Sequence, residues 1–101
     1  MQVDPSVDAL KHALDVSGAR HTLLAENLAN LNTPGYGRVD LDFEAALKDV
    51  AGDPTGHGVH GGTPTLEHEA GTMAVNDSFY AACTRLLSLR YQMKHASLKE
   101  R

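Results

Sequence analysis

The chain has 101 residues, no tryptophan, two phenylalanines and three tyrosines, so it forms at most one domain with few large side chains to fill a core. Its formal net charge of −4 argues against a nucleic-acid binder, which presents a basic face. The single cysteine, Cys83, excludes an intramolecular disulfide and reads as a small buried hydrophobe on an apolar helical segment.

The first residues carry neither a basic stretch nor a continuous apolar run, so no cleaved secretory signal is expected. No segment approaches the ~20 apolar residues of a membrane span. Asp4-Pro5-Ser6 opens a helix, with proline in the first turn and Asp4 or Ser6 as cap. From there Val7, Leu10, Leu14, Ser17, His21, Leu24, Leu28 and Leu31 recur in alternating steps of 3 and 4, a heptad seam that predicts a helix to about Asn32. Gly18 interrupts it at about 1 kcal/mol relative to alanine, unless a neighbour approaches closely there. His21 lies on the seam as a packed histidine, while His12 and His95 read as surface residues.

Three asparagines, Asn27, Asn30 and Asn32, crowd the end of this helix, although asparagine prefers caps and turns. Thr33-Pro34-Gly35-Tyr36 is the sequence of a type II turn: proline fixes φ at the second position and glycine takes positive φ at the third. Thr33, preceding a proline, is pushed out of the helical region. A rigid turn with one projecting tyrosine suits contacts between molecules, with the asparagines capping open carbonyls or reaching a neighbour's backbone. Next, Asp42 is a candidate N-cap for a short helix burying Phe43, Ala46, Leu47 and Val50. Residues 51–72, rich in glycine and proline, read as a mobile or partner-ordered loop.

The second stripe is Val75, Phe79, Ala82, Leu86, Leu89, Met93 and Ala96, flanked by Cys83, Leu87 and Leu98, and predicts a helix from about Asn76 to Leu98. Charge is uneven along the chain: residues 35–72 sum to −5 and residues 73–101 to +3. The fold expected is therefore all-α. Two long terminal helices pair as an antiparallel coiled coil, joined by a Gly/Pro-rich loop with one short helix. Residues 1–33 form the first helix, 34–72 the turn, short helix and loop, and 73–101 the second helix. Leu10, Leu14, Leu24, Leu28 and Leu31 are expected to pack on Phe79, Leu86, Leu89 and Met93. Two helices seldom close a core alone, so the remaining burial is expected to come from other molecules.

Chemistry is sparse. His57, His60 and His68, with Glu67 and Glu69, suggest a metal site, but a glycine-rich loop offers no rigid placement, and a solvated polar loop is the expectation. No nucleophile has an Asp/His partner pattern, and Asp40 and Asp42 read as turn and cap residues. Neither catalysis, nor a cofactor, nor a metal, nor a small-molecule substrate is expected.

The stretch LAENLANLNTPGYGRVDLDFEAAL, Leu24 to Leu47, resembles the N-terminal motif of bacterial flagellar axial proteins, and within them the FlgB type of proximal rod protein. The tail from Met73 is similar to the same family's C-terminal helix, through Asn76, Tyr80, Leu86, Leu87, Ser88, Tyr91, Met93 and Ala96. The resemblance implies an axial subunit of the basal-body rod, exported through the flagellar type III channel without cleavage and stacked helically in the periplasm. It would link the membrane ring and export gate to the distal rod and transmit torque. Implied partners are other copies, other rod proteins, the rod-base adaptor, the membrane-ring protein and the export-gate proteins. Asn27, Asn30, Asn32, Thr33, Pro34, Gly35, Tyr36, Arg38, Asp40, Asp42 and Phe43 form an elbow that would touch neighbouring subunits. The alternatives are another rod-type axial protein or a soluble helical adaptor or chaperone-like module.

Overall fold

The computed structural model describes residues 4–99, so the outermost ends of the two terminal segments lie outside the described residues. In chain order it has helix α1 (Pro5–Ala29), strand β1 (Val39–Leu41), helix α2 (Phe43–Lys48), a 3-10 turn at Pro54–His57, strand β2 (Gly58–His60) and helix α3 (Leu66–Lys99). The molecule is a rod of 63 × 24 × 16 Å. Its long axis is set by α3.

The start of α1 forms for the reason the sequence gives. Asp4 caps it by accepting from the Ser6 amide at 2.9 Å, and Pro5 occupies the first turn. α2 likewise begins at Asp42, whose carboxylate accepts from the Ala45 amide at 3.2 Å. α3, however, begins at Leu66, ten residues before the start the stripe predicts and inside the segment assigned to the loop. Thr65 caps it, accepting from the His68 amide at 3.2 Å, and Glu67 and Glu69 fill a first turn that favours carboxylates. The intervening segment is also more regular than expected. β1 and β2 pair antiparallel, with Val39 opposite His60 and Leu41 opposite Gly58, so the chain is mostly helical without being all-α.

α1 and α3 pair antiparallel, as two polar contacts show. Near the middle, the Asn76 amide donates to the Ser17 carbonyl at 2.9 Å while the Ser17 hydroxyl donates to Asn76 Oδ1 at 3.0 Å. Toward the C-terminal end of α1, Asn27 donates to Glu69 at 2.9 Å. The face α3 turns to α1 therefore passes through Glu69, Asn76 and Cys83, all buried. That line is displaced by one residue from the apolar stripe. One residue is about 100° around an α-helix. As a result Leu86, Leu89 and Met93, expected in the seam, are 50%, 47% and 64% exposed. On α1, Leu24 is fully buried while Leu10, Leu14, Leu28 and Leu31 are half-buried. Two further expectations reverse: His12 is buried, with Nε2 2.7 Å from the Ala46 carbonyl, and His21 is exposed, 3.4 Å from Asp77.

A second face of α1 is covered by the middle of the chain. Val16, Leu41 and Ala46 form a small core, with Ala19, Leu23, Phe43 and Leu47 packed against it. Phe43 meets Phe79 of α3 edge to face at 5.0 Å between ring centres, so the three helices converge at this point. Val50 lies outside this core, exposed beyond the end of α2. Cys83 is buried, and burial pushes its thiol pKa up. No described helix is long and apolar enough to cross a membrane.

The displaced seam makes a direct prediction. Leu24→Ala is expected to destabilise the monomer by about 2–5 kcal/mol, as a cavity in a packed site does. Leu86→Ala is expected to cost less than about 1 kcal/mol. Urea unfolding of dilute protein followed by circular dichroism checks this, and equal losses would return Leu86 to the seam.

Candidate functional site: the buried elbow network

Where α1 ends, the chain executes the turn its sequence predicts. The Tyr36 amide donates to the Thr33 carbonyl at 3.2 Å, and Gly35 sits at φ +75°. Asn30 finishes the helix: its side-chain amide donates to the Glu26 carbonyl at 2.8 Å, and its Oδ1 accepts from the Thr33 hydroxyl at 3.0 Å. Both are uses to which a helix-terminal asparagine is suited.

Asn27 has a different task. It is fully buried, and all its side-chain hydrogen bonds lie within the chain. Nδ2 donates to the Val39 carbonyl at 2.7 Å and to Glu69 at 2.9 Å. Oδ1 accepts from the Val39 amide at 3.0 Å and from the Tyr36 hydroxyl at 3.2 Å. One side chain thereby ties α1 to the elbow, to β1 and to α3. Tyr36 is half-buried and directed inward; it does not project from the turn.

Four charges extend this cluster. Arg38 grips Glu69 with two hydrogen bonds of 3.0 Å, and Arg20 grips Asp40 with bonds of 2.9 and 3.0 Å. Arg38 also reaches Asp40 at 3.5 Å, joining the two pairs into a neutral square. Arg20 lies over the Phe43 ring, 5.2 Å from its centre. Glu69 is fully buried and Asp40 nearly so. Burial alone would raise both carboxyl pKa values. Hydrogen bonds from Arg20 and the Leu41 amide outweigh it at Asp40, and those from Arg38 and Asn27 outweigh it at Glu69, so both are held below the ordinary range. Among the described residues, no buried side-chain polar atom lacks a hydrogen-bond partner.

The structure therefore divides the expected elbow residues. Asn27, Tyr36, Arg38 and Asp40 come together inside the chain, and Asn27 and Asp40, expected at subunit contacts, are buried. Asn30 and Thr33 close the turn on each other. Asn32, Thr33, Pro34, Gly35 and Asp42 remain exposed, and Phe43 packs inward. Sequence reasoning missed Arg20, Ser17 as a hydrogen-bonding residue, and Glu69. The signal for Glu69 was the Pro64-Thr65 pair before Leu66-Glu67, which marks a helix start and puts Glu69 on a helix instead of in a loop. The histidines of the suggested metal site do not converge: His57 pairs with Asp49 at 2.9 Å, and His60 and His68 are exposed on separate elements. Among the described residues, no group of three or more potential ligands is placed to hold a metal ion.

The fold and its network define an elongated two-helix chain with an internally braced elbow, and the chain's relatives are flagellar basal body rod proteins. They are of the FlgB type. The chain is 39% identical over 49 residues to the flagellar basal body rod protein FlgB of Salmonella typhimurium, covering 48% of this chain and 36% of that protein. It is 42% identical over 43 residues to FlgB of Borrelia hermsii, covering 43% and 32% respectively. With FlgB of Yersinia enterocolitica it shares 35% identity over 60 residues, 57% of this chain and 44% of the relative. The matches thus span less than half the length of each relative. No family model matches the chain.

Two outcomes follow from the network. Glu69→Gln removes the nearer of the two carboxylates that pair with Arg38 and is expected to cost about 3 kcal/mol in urea unfolding, with partial recovery in the double variant Glu69→Gln/Arg38→Met. Because the folded-state carboxyl pKa values are lowered, the stability from Asp40 and Glu69 is complete at neutral pH. It is lost as pH falls through those lowered values. Thermal melts across an acid series should show a steep loss below the ordinary carboxylate range, and the loss should be smaller in the double variant.

Proposed function

We propose that this chain is a structural subunit of a bacterial flagellar basal-body rod, of the proximal type. The observation that carries the reading is the outward stripe of α3. Val75, Leu86, Leu89, Met93 and Leu98 are all about half or more exposed on one long helix, a large uncovered apolar surface for so small a chain. An axial assembly covers such a stripe with neighbouring subunits. The similarity to FlgB rod proteins names the assembly.

On this reading the chain is located in the basal body, in the periplasmic rod, which it reaches by flagellar type III export without cleavage. Copies of the chain stack helically with other rod proteins, and the α1–α3 pair serves as a coiled-coil element of the axial core. The rod-base adaptor, membrane-ring protein and export-gate proteins are its neighbours, and the stack transmits torque to the distal rod. The exposed rim of the elbow, Asn32 to Gly35 with Asp42, provides contacts between subunits. The braced network holds that rim in one orientation.

Gly35→Val tests this. A β-branched residue at positive φ is strained by about 1–3 kcal/mol and reorients the rim. A Cβ there meets no atom within 4 Å, so the interior of the subunit is not crowded. The variant is expected to be made and exported, yet to leave cells without hook or filament. Immunoblots of isolated basal bodies should contain the parent chain. A strain lacking the chain altogether that still builds complete flagella would overturn the proposal.

A further inference from the structure

We infer that a groove along α1, floored by Gly18 and rimmed by aspartates, receives the basic, apolar C-terminal part of α3 from a second copy of this chain. The inference rests on the rod-subunit reading and names the surfaces through which one copy meets the next.

Gly18 lies inside α1, where glycine weakens a helix relative to alanine. Close approach of a neighbour would account for it, yet no atom of this chain lies within 4 Å of where its Cβ would stand. The space beside it is open instead. Between α1 and α3 it forms a cavity of about 320 Å³ bounded by His21, Asn76, Asp77 and Tyr80. It continues over Gly18 toward Leu14, Ala19 and Pro54, with Asp15 and Asp53 on its edge and Lys11 as a single cation. The floor is made of small residues, Ser17, Gly18 and Ala19, and the rim carries three carboxylates.

The opposite character appears further along α3, toward its C-terminal end. From Arg85 to Lys99 the chain has Arg85, Arg90, Lys94 and Lys99 and no carboxylate. On the same stretch Leu86, Leu89, Tyr91, Met93 and Leu98 are 47–64% exposed. With Ser17 opposite Asn76 in an antiparallel pair, Asp4 at the cap of α1, 13 residues before Ser17, falls level with about residue 89, 13 residues after Asn76, so the residues after Arg90 run past the end of α1. That projecting length is about 13 Å of helix at 1.5 Å per residue. An amphipathic basic helix and an acid-rimmed groove without a Cβ at its floor are complementary in charge, shape and polarity. Tip and groove are unlike surfaces of one molecule. Each docking event therefore leaves a free tip and a free groove, and the contact propagates.

Mixing two charge-reversed variants of the full chain tests the pairing, with sedimentation velocity as the readout. Asp15→Lys/Asp77→Lys reverses the groove, and Arg85→Glu/Arg90→Glu/Lys94→Glu reverses the tip; all five positions are exposed. Each variant alone is expected to self-associate roughly tenfold more weakly than the parent. Monomer helicity should be unchanged. An equimolar mixture is expected to recover association, because each groove now meets a tip of opposite charge, and the recovery should fade as salt is raised. Gly18→Leu should abolish association while keeping the monomer folded. A mixture no better than its components, or reversed variants that associate like the parent, would overturn the inference. Finding the chain in basal bodies while the mixture fails would sink the groove alone; recovery in the mixture with no chain in basal bodies would sink the rod reading alone.

Discussion

The bidentate contact between Arg38 and Glu69 is the interaction on which the rest of the structure depends. It joins the strand after the elbow to the first turns of α3, residues 31 positions apart in the chain. Asn27 binds the same carboxylate from α1. A buried carboxylate with one partner missing is costly, so the three groups are present together or the site is not formed. With few large apolar side chains, the chain has little core with which to choose among packings. A satisfied polar cluster supplies direction where hydrophobic burial is indifferent to it. The Ser17–Asn76 exchange plays the same part at mid-helix, where its two hydrogen bonds fix the register of α1 on α3.

This arrangement leaves the molecule with an inside and an outside that differ in kind. Inside, α3 presents Glu69, Asn76 and Cys83 to α1, a line in which two of three members are polar. Outside, it presents leucines, valine and methionine. The more apolar face of the helix is thus the one that its own chain does not cover. That inversion is unfavourable for an isolated protein and favourable for a subunit whose final environment is other subunits. Orienting the helices by hydrogen bonds leaves the apolar surface uncovered, where the proposed assembly would use it.

Much of this was legible in the sequence, and the failures have a common cause. The cap at Asp4, the turn at Pro34-Gly35 and the short helix after Asp42 were readable because each depends on residues within four positions of one another. The apolar stripe of α3 was also read correctly as a stripe, but it was assigned to the partner helix of the same chain. Counting hydrophobic residues finds the more apolar face and cannot say which surface covers it. Glu69 and Asn76 select the inner face through hydrogen bonds, and their partners, Asn27, Arg38 and Ser17, are distant in sequence. The asparagines show the same limit. Asn30 serves the turn beside it, as local chemistry suggests, whereas the role of Asn27 depends on where Val39 and Glu69 come to lie.

The central claim is that buried polar contacts hold the inner face of α3 in the single chain, and that its outer stripe is covered only in the proposed assembly. Amide hydrogen exchange, read residue by residue on dilute and on assembled protein, tests this most directly. In the dilute protein, the account predicts protection over residues 17–29, 39–41 and 69–83, with rapid exchange beyond residue 90. On assembly, protection should spread through residues 86–98 without loss in the first set. Protection confined to residues 86–98 in the dilute chain, or an elbow that gains its first protection only on assembly, would contradict it.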